Sequence, residues 1–507
     1  MELKKAALFT VLVSVLVFCL CSQFVSLAWA NFLPVPTPQP NYTIKSDGTI
    51  EPSTAPIKRS GSVYTLTGDV FNTTIAIEKD NSILDGGGFT LYGTGQSSTG
   101  VFIYNHRGIT VRNMNIKNHG YGIRIGTDVF HDYPDGSHVV SGNNLTENKY
   151  GIYIVYSCNN VLTNNKLNNN NYALYVADSP LNQSISHFVN DIGVSNTVNG
   201  KPVCYWVNQH DRSVPSDAGY VCLLYCSNIL AQNLDLTGKS EEIILYATYW
   251  SQITGCNITN NDGNGISLSK SCNNSVSLNT IANNGKYGIY IDNSENNDIF
   301  ENTITSNFKG IEAYNSGSNN RFVKNTITQN TEYGISFNWS QNQNYISENY
   351  IAQNGKGMIL KESSSNTIVG NTIKENNGWA LQIEGGADNI IYHNHFVNNN
   401  VTDGLQVSIP GLWEPGVWQA GNPNVWDDGE KGNYWSDYFT RYPNASEIGD
   451  TSIGDTPFYI NPNNIDHYPV TEYDAIPEFP MLSILPVLLS SALLVLFFKK
   501  RVTRYHQ

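Results

Sequence analysis

Asn302-Thr303-Ile304-Thr305-Ser306-Asn307-Phe308-Lys309-Gly310-Ile311 decides the fold, because the chain keeps returning to it. Its opening recurs as Asn257-Ile258, Asn279-Thr280-Ile281, Asn325-Thr326-Ile327, Asn349-Tyr350-Ile351, Asn371-Thr372-Ile373 and Asn394-His395-Phe396, with 22 to 24 residues between successive asparagines. Its close recurs as Gly265-Ile266, Gly288-Ile289, Gly334-Ile335, Gly357-Met358 and Ala380-Leu381. A period in this range marks stacked supersecondary units. Within each phrase the apolar residue comes every second position, which is a strand with one buried face. No segment between the phrases keeps a helical period, and runs such as Asn283-Asn284-Gly285 break helices. One turn of such a chain cannot bury its own apolar side, whereas stacked turns pairing in parallel can. The predicted fold is therefore an all-β parallel β-helix. About 13 to 15 coils at the sheet spacing of ~4.8 Å would make a rod ~60–75 Å long.

The asparagines suit sharp corners, where the side chain satisfies nearby amides and the backbone tolerates the left-handed region. At the same corner of every coil they would form ladders. On that phase Asn144 and Asn257, both in glycosylation sequons, are expected to be buried.

The chain has 507 residues, 14% of them charged, with 29 Lys and Arg against 43 Asp and Glu and a net charge of −14. It has no basic stripe outside its last residues, which argues against a nucleic-acid partner. Lys4-Lys5, the apolar run Ala6 to Leu20 and Ala28-Trp29-Ala30 read as a signal peptide over residues 1–30. A second apolar run, Met481 to Phe498, ends at Lys499-Lys500-Arg501 and reads as a C-terminal transmembrane helix with a cytoplasmic tail. The domain reading is a linker and N-terminal cap over 31–60, the β-helix over 61–430, a C-terminal cap over 431–476 and an anchor with basic tail over 477–507. The rhythm breaks at about 178–255, and such excursions are where solenoids place function.

The chain resembles the NosD-type right-handed parallel β-helix proteins, within the broader group of carbohydrate-binding proteins and sugar hydrolases. The resemblance is carried by Asp85-Gly86-Gly87-Gly88, the Asn-x-Ile and Gly-Ile-x-Ile coils, Asn199-Gly200-Lys201-Pro202-Val203, Asp217-Ala218-Gly219, Gly432-Asn433-Tyr434-Trp435-Ser436-Asp437-Tyr438, Gly454-Asp455-Thr456-Pro457 and Asp466-His467-Tyr468-Pro469. It implies a right-handed helix and an archaeal-type surface protein, exported and held in the cell membrane with its ectodomain outside. It says little about activity, because this fold hosts many.

Three chemistries follow. Tyr121, Tyr150, Tyr172, Tyr287, Tyr333 and Trp379 all precede the Gly or Ala of the closing phrase. Exposed, the row would stack on the sugars of a polysaccharide or cell-wall glycan; buried, it would fill a corner. Asp128, His131, Asp132, Asp135 and His138 share one projecting loop, with a composition able to hold calcium or move protons. His393 and His395, two apart on one strand, would share a face and could take copper. The tail acids Asp427, Asp428, Glu430, Asp437, Asp450 and Asp455 are a further calcium candidate set, more readily explained as a structural cap. Cys204 and Cys222 flank a hairpin and are the one disulfide candidate; the Ser-Cys-Asn-Asn residues Cys158 and Cys272 read as stacked turn residues. Paired carboxylates on neighbouring outward positions, which glycoside hydrolysis needs, are absent from the regular coils, where Glu312 stands alone in its row. The leading expectation is a non-catalytic glycan-binding surface protein. A polysaccharide lyase or hydrolase is second, and a copper accessory protein third.

Overall fold

The structure is a computed structural model that describes residues 42–126, 135–177, 188–399, 405–410, 412–414, 417–419 and 421–473. Residues 1–30, read from the sequence as a signal peptide, the apolar run at 481–498 and most of the 128–135 loop lie outside these residues. Among the described residues no helix is long and apolar enough to cross a membrane.

The chain winds as a right-handed parallel β-solenoid of about 14 turns. Each regular turn has three strands. In one turn they are Asp298–Phe300, Thr303–Thr305 and Lys309–Tyr314. Each pairs in parallel and in register with its counterpart a turn later, as in Ile299↔Phe322, Ile304↔Ile327 and Ile311↔Ile335. The register carries the period-two alternation upward, so inward residues form columns such as Ile281, Ile304, Ile327, Ile351 and Ile373, all 0% exposed. A slip by one residue would turn a whole column to solvent.

The corners divide a task that the sequence reading gave to one residue. The residue before each ladder asparagine takes the left-handed turn, and it is often not asparagine: Leu278, Glu301, Lys324 and Glu348 have φ of 58°, 54°, 55° and 54°. The asparagine itself is buried and bonds. Asn302 N–H and Nδ2 both donate to Asn325 Oδ1, at 3.0 Å each, and Nδ2 also donates to the Val276 carbonyl at 2.8 Å. One amide thereby ties together three successive turns. Three such ladders run up the stack, through Asn297 and Asn320, Asn302 and Asn325, and Asn307 and Asn330. Each bond contributes about 1 kcal/mol net, while an unpaired buried partner costs about 1–3 kcal/mol, so the ladders specify register more than they add stability.

Two sequence expectations shift by one position. The ladder slots at the first repeats belong to Asn143 and Cys256, not to Asn144 and Asn257. Asn257 is exposed and Asn144 half-exposed, because Ile258 and Leu145 directly after them must point inward.

At the far end Tyr434–Trp435 adds a last rung on His395–Val397, and the hairpin Phe458–Asn461/Asn464–Asp466 covers it. Trp435 lies flat on Phe458 with centroids 4.0 Å apart. Asp466 is fully buried at the top of one ladder and accepts from Asn433 N–H and Trp435 Nε1, both at 2.8 Å. A Cβ on Gly432 would fall on the Asp466 carboxylate, so only glycine fits there.

The excursion divides the core. One apolar cluster runs from Ile44 to Leu224 and the other from Cys204 to Phe458. The strand Tyr172–Ala177 pairs below with Tyr150–Val155 and, among the described residues, with no strand above. Parallel stacking resumes where Lys201–Val207 pairs with Tyr220–Leu224. That second strand is buried on both faces: Val221 and Leu223 enter the upper core, while Tyr220, Cys222 and Leu224 cover the open end of the lower one. The rod is stepped at this point.

Candidate functional site

The step holds a cavity of about 470 Å³. Its lower wall is the last strand of the first stack, with Tyr172, Leu174 and Tyr175. Its upper wall is the outer surface of the third face of the second stack. There Cys222, Ile244, Ser267 and Tyr290 stand one above another in register. Lys270, Lys286, Asn264 and Glu242 complete the lining. Unpaired backbone at the step is met by side chains: Tyr220 Oη donates to the Leu174 carbonyl at 3.2 Å, and Ala173 N–H donates to Ser240 Oγ.

Among the described residues Glu242 is the one carboxylate in the lining. It is 8% exposed, and burial pushes its carboxyl up to about 7, against the nearby Lys286 charge that favours ionisation. A near-neutral pKa in a cleft suits a group that gives or takes a proton. The sequence reading missed Glu242, although a signal existed. By register it occupies the slot of Gly265, Gly288, Gly310, Gly334 and Gly357. In the regular turns a Cβ at that slot would crowd the isoleucine and carbonyl of adjacent rungs, for example within 2.6 Å of Ile304 for Gly288. A full side chain at this slot marks the place where the stack opens.

The aromatic row is neither freely exposed nor merely buried. Tyr121, Tyr150 and Tyr172 are half-buried and lie ring on ring, with centroids 5.1 and 4.9 Å apart, beside a second column of Tyr153 on Tyr175. Burial pushes the Tyr150 phenol up to about 12. In the upper stack the row alternates with lysines. Lys309 sits over Tyr287 and Tyr333 at 5.8 and 5.5 Å, and Lys356 over Tyr333 and Trp379 at 5.1 and 4.9 Å. The rings and lysines of this row thus cover one another from rung to rung, and the Tyr333 hydroxyl accepts from Lys356 Nζ at 3.2 Å. Of the row, Tyr172 alone lines the cavity.

The metal and disulfide candidates are dispersed. Asp128, His131 and Asp132 lie outside the described residues, and Asp135 is described there only as backbone of the strand Asp135–Gly136. His138 leaves that loop for the interior, where it is 1% exposed, accepts from Ile109 N–H through Nδ1 at 3.3 Å and is held down to about 4 by burial. His393 and His395 do not share a face. His393 is the left-handed corner residue, φ 56°, and faces Asp428 at 3.1 Å, while His395 opens the next strand and packs on Tyr434 and Tyr473. The tail acids serve turns and caps: Asp427 holds His467 at 3.0 Å, and Asp455 accepts from Ser446 Oγ at 2.7 Å. Cys204 and Cys222 are both free thiols. They cannot bridge, because neighbouring register positions put Cys204 into the upper core and Cys222 on the opposite side, in the cavity wall. Burial pushes the Cys204 thiol up to about 12.

The family model described as periplasmic copper-binding protein (NosD) matches residues 72–187, 190–354 and 310–439. A search of curated proteins finds no significant match. Among solved structures, the periplasmic alginate epimerase AlgG is 11% identical, covering 70% of this chain and 78% of its own, with a TM-score of 0.26. The A-module of the Azotobacter vinelandii mannuronan C-5 epimerase AlgE6 is 12% identical, with coverage of 72% and 88% and a TM-score of 0.27. The Dettilon tailspike protein is 13% identical, with coverage of 72% and 61% and a TM-score of 0.29. Among the described residues no three His, Cys, Asp or Glu side chains converge as a metal site, and Met114 and Met358 are core residues. The matched segments span most of the described solenoid, and this chain belongs to the NosD family.

Proposed function

We propose that this chain is an exported, membrane-anchored glycan-binding protein whose saccharide lies in the cleft at the step. The observation that carries the reading is the cleft itself, an apolar-walled recess edged by Tyr172, Tyr175, Tyr246 and Tyr290 with Ser267, Ser269 and Asn264 beside them. Sugar binding uses this mixture of flat rings and hydroxyl or amide partners. Among the described residues the recess holds one carboxyl, Glu242, where glycoside hydrolysis uses two, and this favours binding over hydrolysis. Export and anchoring rest on the sequence of residues 1–30 and 477–507. Binding of oligosaccharides to the full-length protein in detergent tests this. Tyr175→Ala with Tyr246→Ala should weaken binding about tenfold, by the loss of two ring contacts. Unchanged affinity would remove the cleft from the reading.

Glu242 favours a second reading, in which the cleft also turns over its saccharide with Glu242 as proton carrier. Release of shorter sugars by the wild-type protein and none by Glu242→Gln would establish it. Binding without release by either leaves the non-catalytic role.

A further inference from the structure

We infer that the cleft selects an acidic glycan, one bearing carboxylate or sulfate groups, and seats those groups on Lys270 and Lys286. This rests on the glycan-binding reading and adds its substrate class. Both lysines line the cavity. Lys270 Nζ donates to Tyr246 Oη at 3.0 Å and lies 5.2 Å from that ring; Lys286 Nζ lies 5.6 Å from the Tyr172 ring. Among the described residues neither lysine has a carboxylate partner. Their neighbours do: Lys201 is bound to Glu241 at 2.8 Å, Lys239 to Asp262 at 3.2 Å and Lys309 to Glu312 at 2.7 Å.

In a chain of net charge −14, acids are in excess and lysines are readily paired. Two that stay unpaired at the mouth of one recess leave a local positive site on an otherwise acidic molecule. Glu242, the one acid among the described lining residues, forms no ion pair with either lysine, and its burial raises its carboxyl to about 7, so it offsets only part of their charge near pH 7. Cations held over ring faces keep their free N–H groups toward the cleft, where an anionic oxygen would receive a charge-assisted hydrogen bond. The overall negative charge disfavours acidic polymers over most of the surface, so a pair of lysines sharing one recess is a favoured place for such a ligand. A longer chain would continue from Tyr290 to Tyr287, stacked at 5.5 Å, and on toward Lys356, which among the described residues donates to Tyr333 Oη and Gln382 Oε1 and to no carboxylate.

The test is binding to the purified full-length protein in detergent, with polygalacturonate, dextran sulfate, neutral dextran and polyglutamate as probes. Lys270→Gln and Lys286→Gln are compared with Lys58→Gln, an exposed residue of the N-terminal cap, and thermal unfolding is followed for each. The expected result is binding of at least one acidic glycan but not of dextran. Each cleft variant should lose about tenfold in affinity, with an unchanged melting temperature and no loss in Lys58→Gln. Polygalacturonate and dextran sulfate separate the carboxylate from the sulfate source. Equal binding of dextran, or cleft variants that keep full affinity, overturns the acidic selection and leaves glycan binding standing. Polyglutamate binding as tightly as the glycans, with the same sensitivity to Lys286→Gln, overturns it in favour of bare charge. No binding of any saccharide overturns both this inference and the reading beneath it.

Discussion

The stack from residue 255 to 400 and the step below it are built from the same repeat, and they solve opposite problems. In the stack each rung is matched above and below, its polar corners are closed by asparagine and its third-face entry is held by glycine. At the step, among the described residues, no strand pairs above Tyr172–Ala177. Ser240 and Tyr220 fill the backbone bonds, Ser251 and Cys256 stand in ladder slots, and Glu242 takes the glycine position. Regularity gives stability and no cavity; its interruption gives a recess and chemistry.

The largest expected effect tests the stack. Asn325→Ala would remove the acceptor of Asn302 N–H and the side-chain donor to the Ile299 carbonyl, and would leave Asn302 Nδ2 only its carbonyl partners, lowering stability by about 2–5 kcal/mol in denaturant unfolding. Ser251→Ala, the equivalent cut beside the step, removes one acceptor for Ile229 N–H and should lower it by about 1–2 kcal/mol. Equal losses would erase the distinction between the two regions.

A pH series sharpens it. The folded-state pKa of Glu242 is raised from 4.5 to about 7, so the native state holds a proton that the unfolded chain has released. Stability from this group is fully present below about 4.5 and is lost as pH rises to about 7. Asp466 is raised from 3.8 to about 7 and has the same sign. Glu242→Gln should flatten the fall by on the order of 2 kcal/mol without touching the cap, and Asp466→Asn should flatten the remainder. An unchanged slope in Glu242→Gln would mean that its carboxyl is ionised in the fold.

The smallest effect concerns a corner of the stack. Leu278 is left-handed and 59% exposed, so Leu278→Asn should raise stability by about 0.5–1 kcal/mol. The same change at Ile244, in the step, should lower it, since that position packs against the lower core.

The contrast also explains what could be read beforehand. Ile304 and its column were legible because alternation and period both act within two dozen residues. The ladders were legible in outline, but their phase was not: Asn144 and Asn257 look like ladder residues until the inward demand of Leu145 and Ile258 is applied. The cleft was hidden because its walls, Tyr172 and Lys286, are far apart in the chain and meet only through the step. Glu242 was legible in principle, as a charged residue standing in register below a run of glycines. The pairing of Cys204 with Cys222 failed on a parity that a strand buried on both faces disguises.

Asparagine can both receive and donate, so each rung passes its bonds to the next. Asp466, the last member of its column, can receive from Asn433 and Trp435 but has no amide N–H to hand on. One oxygen in place of one NH₂ therefore ends this column's relay inside the cap.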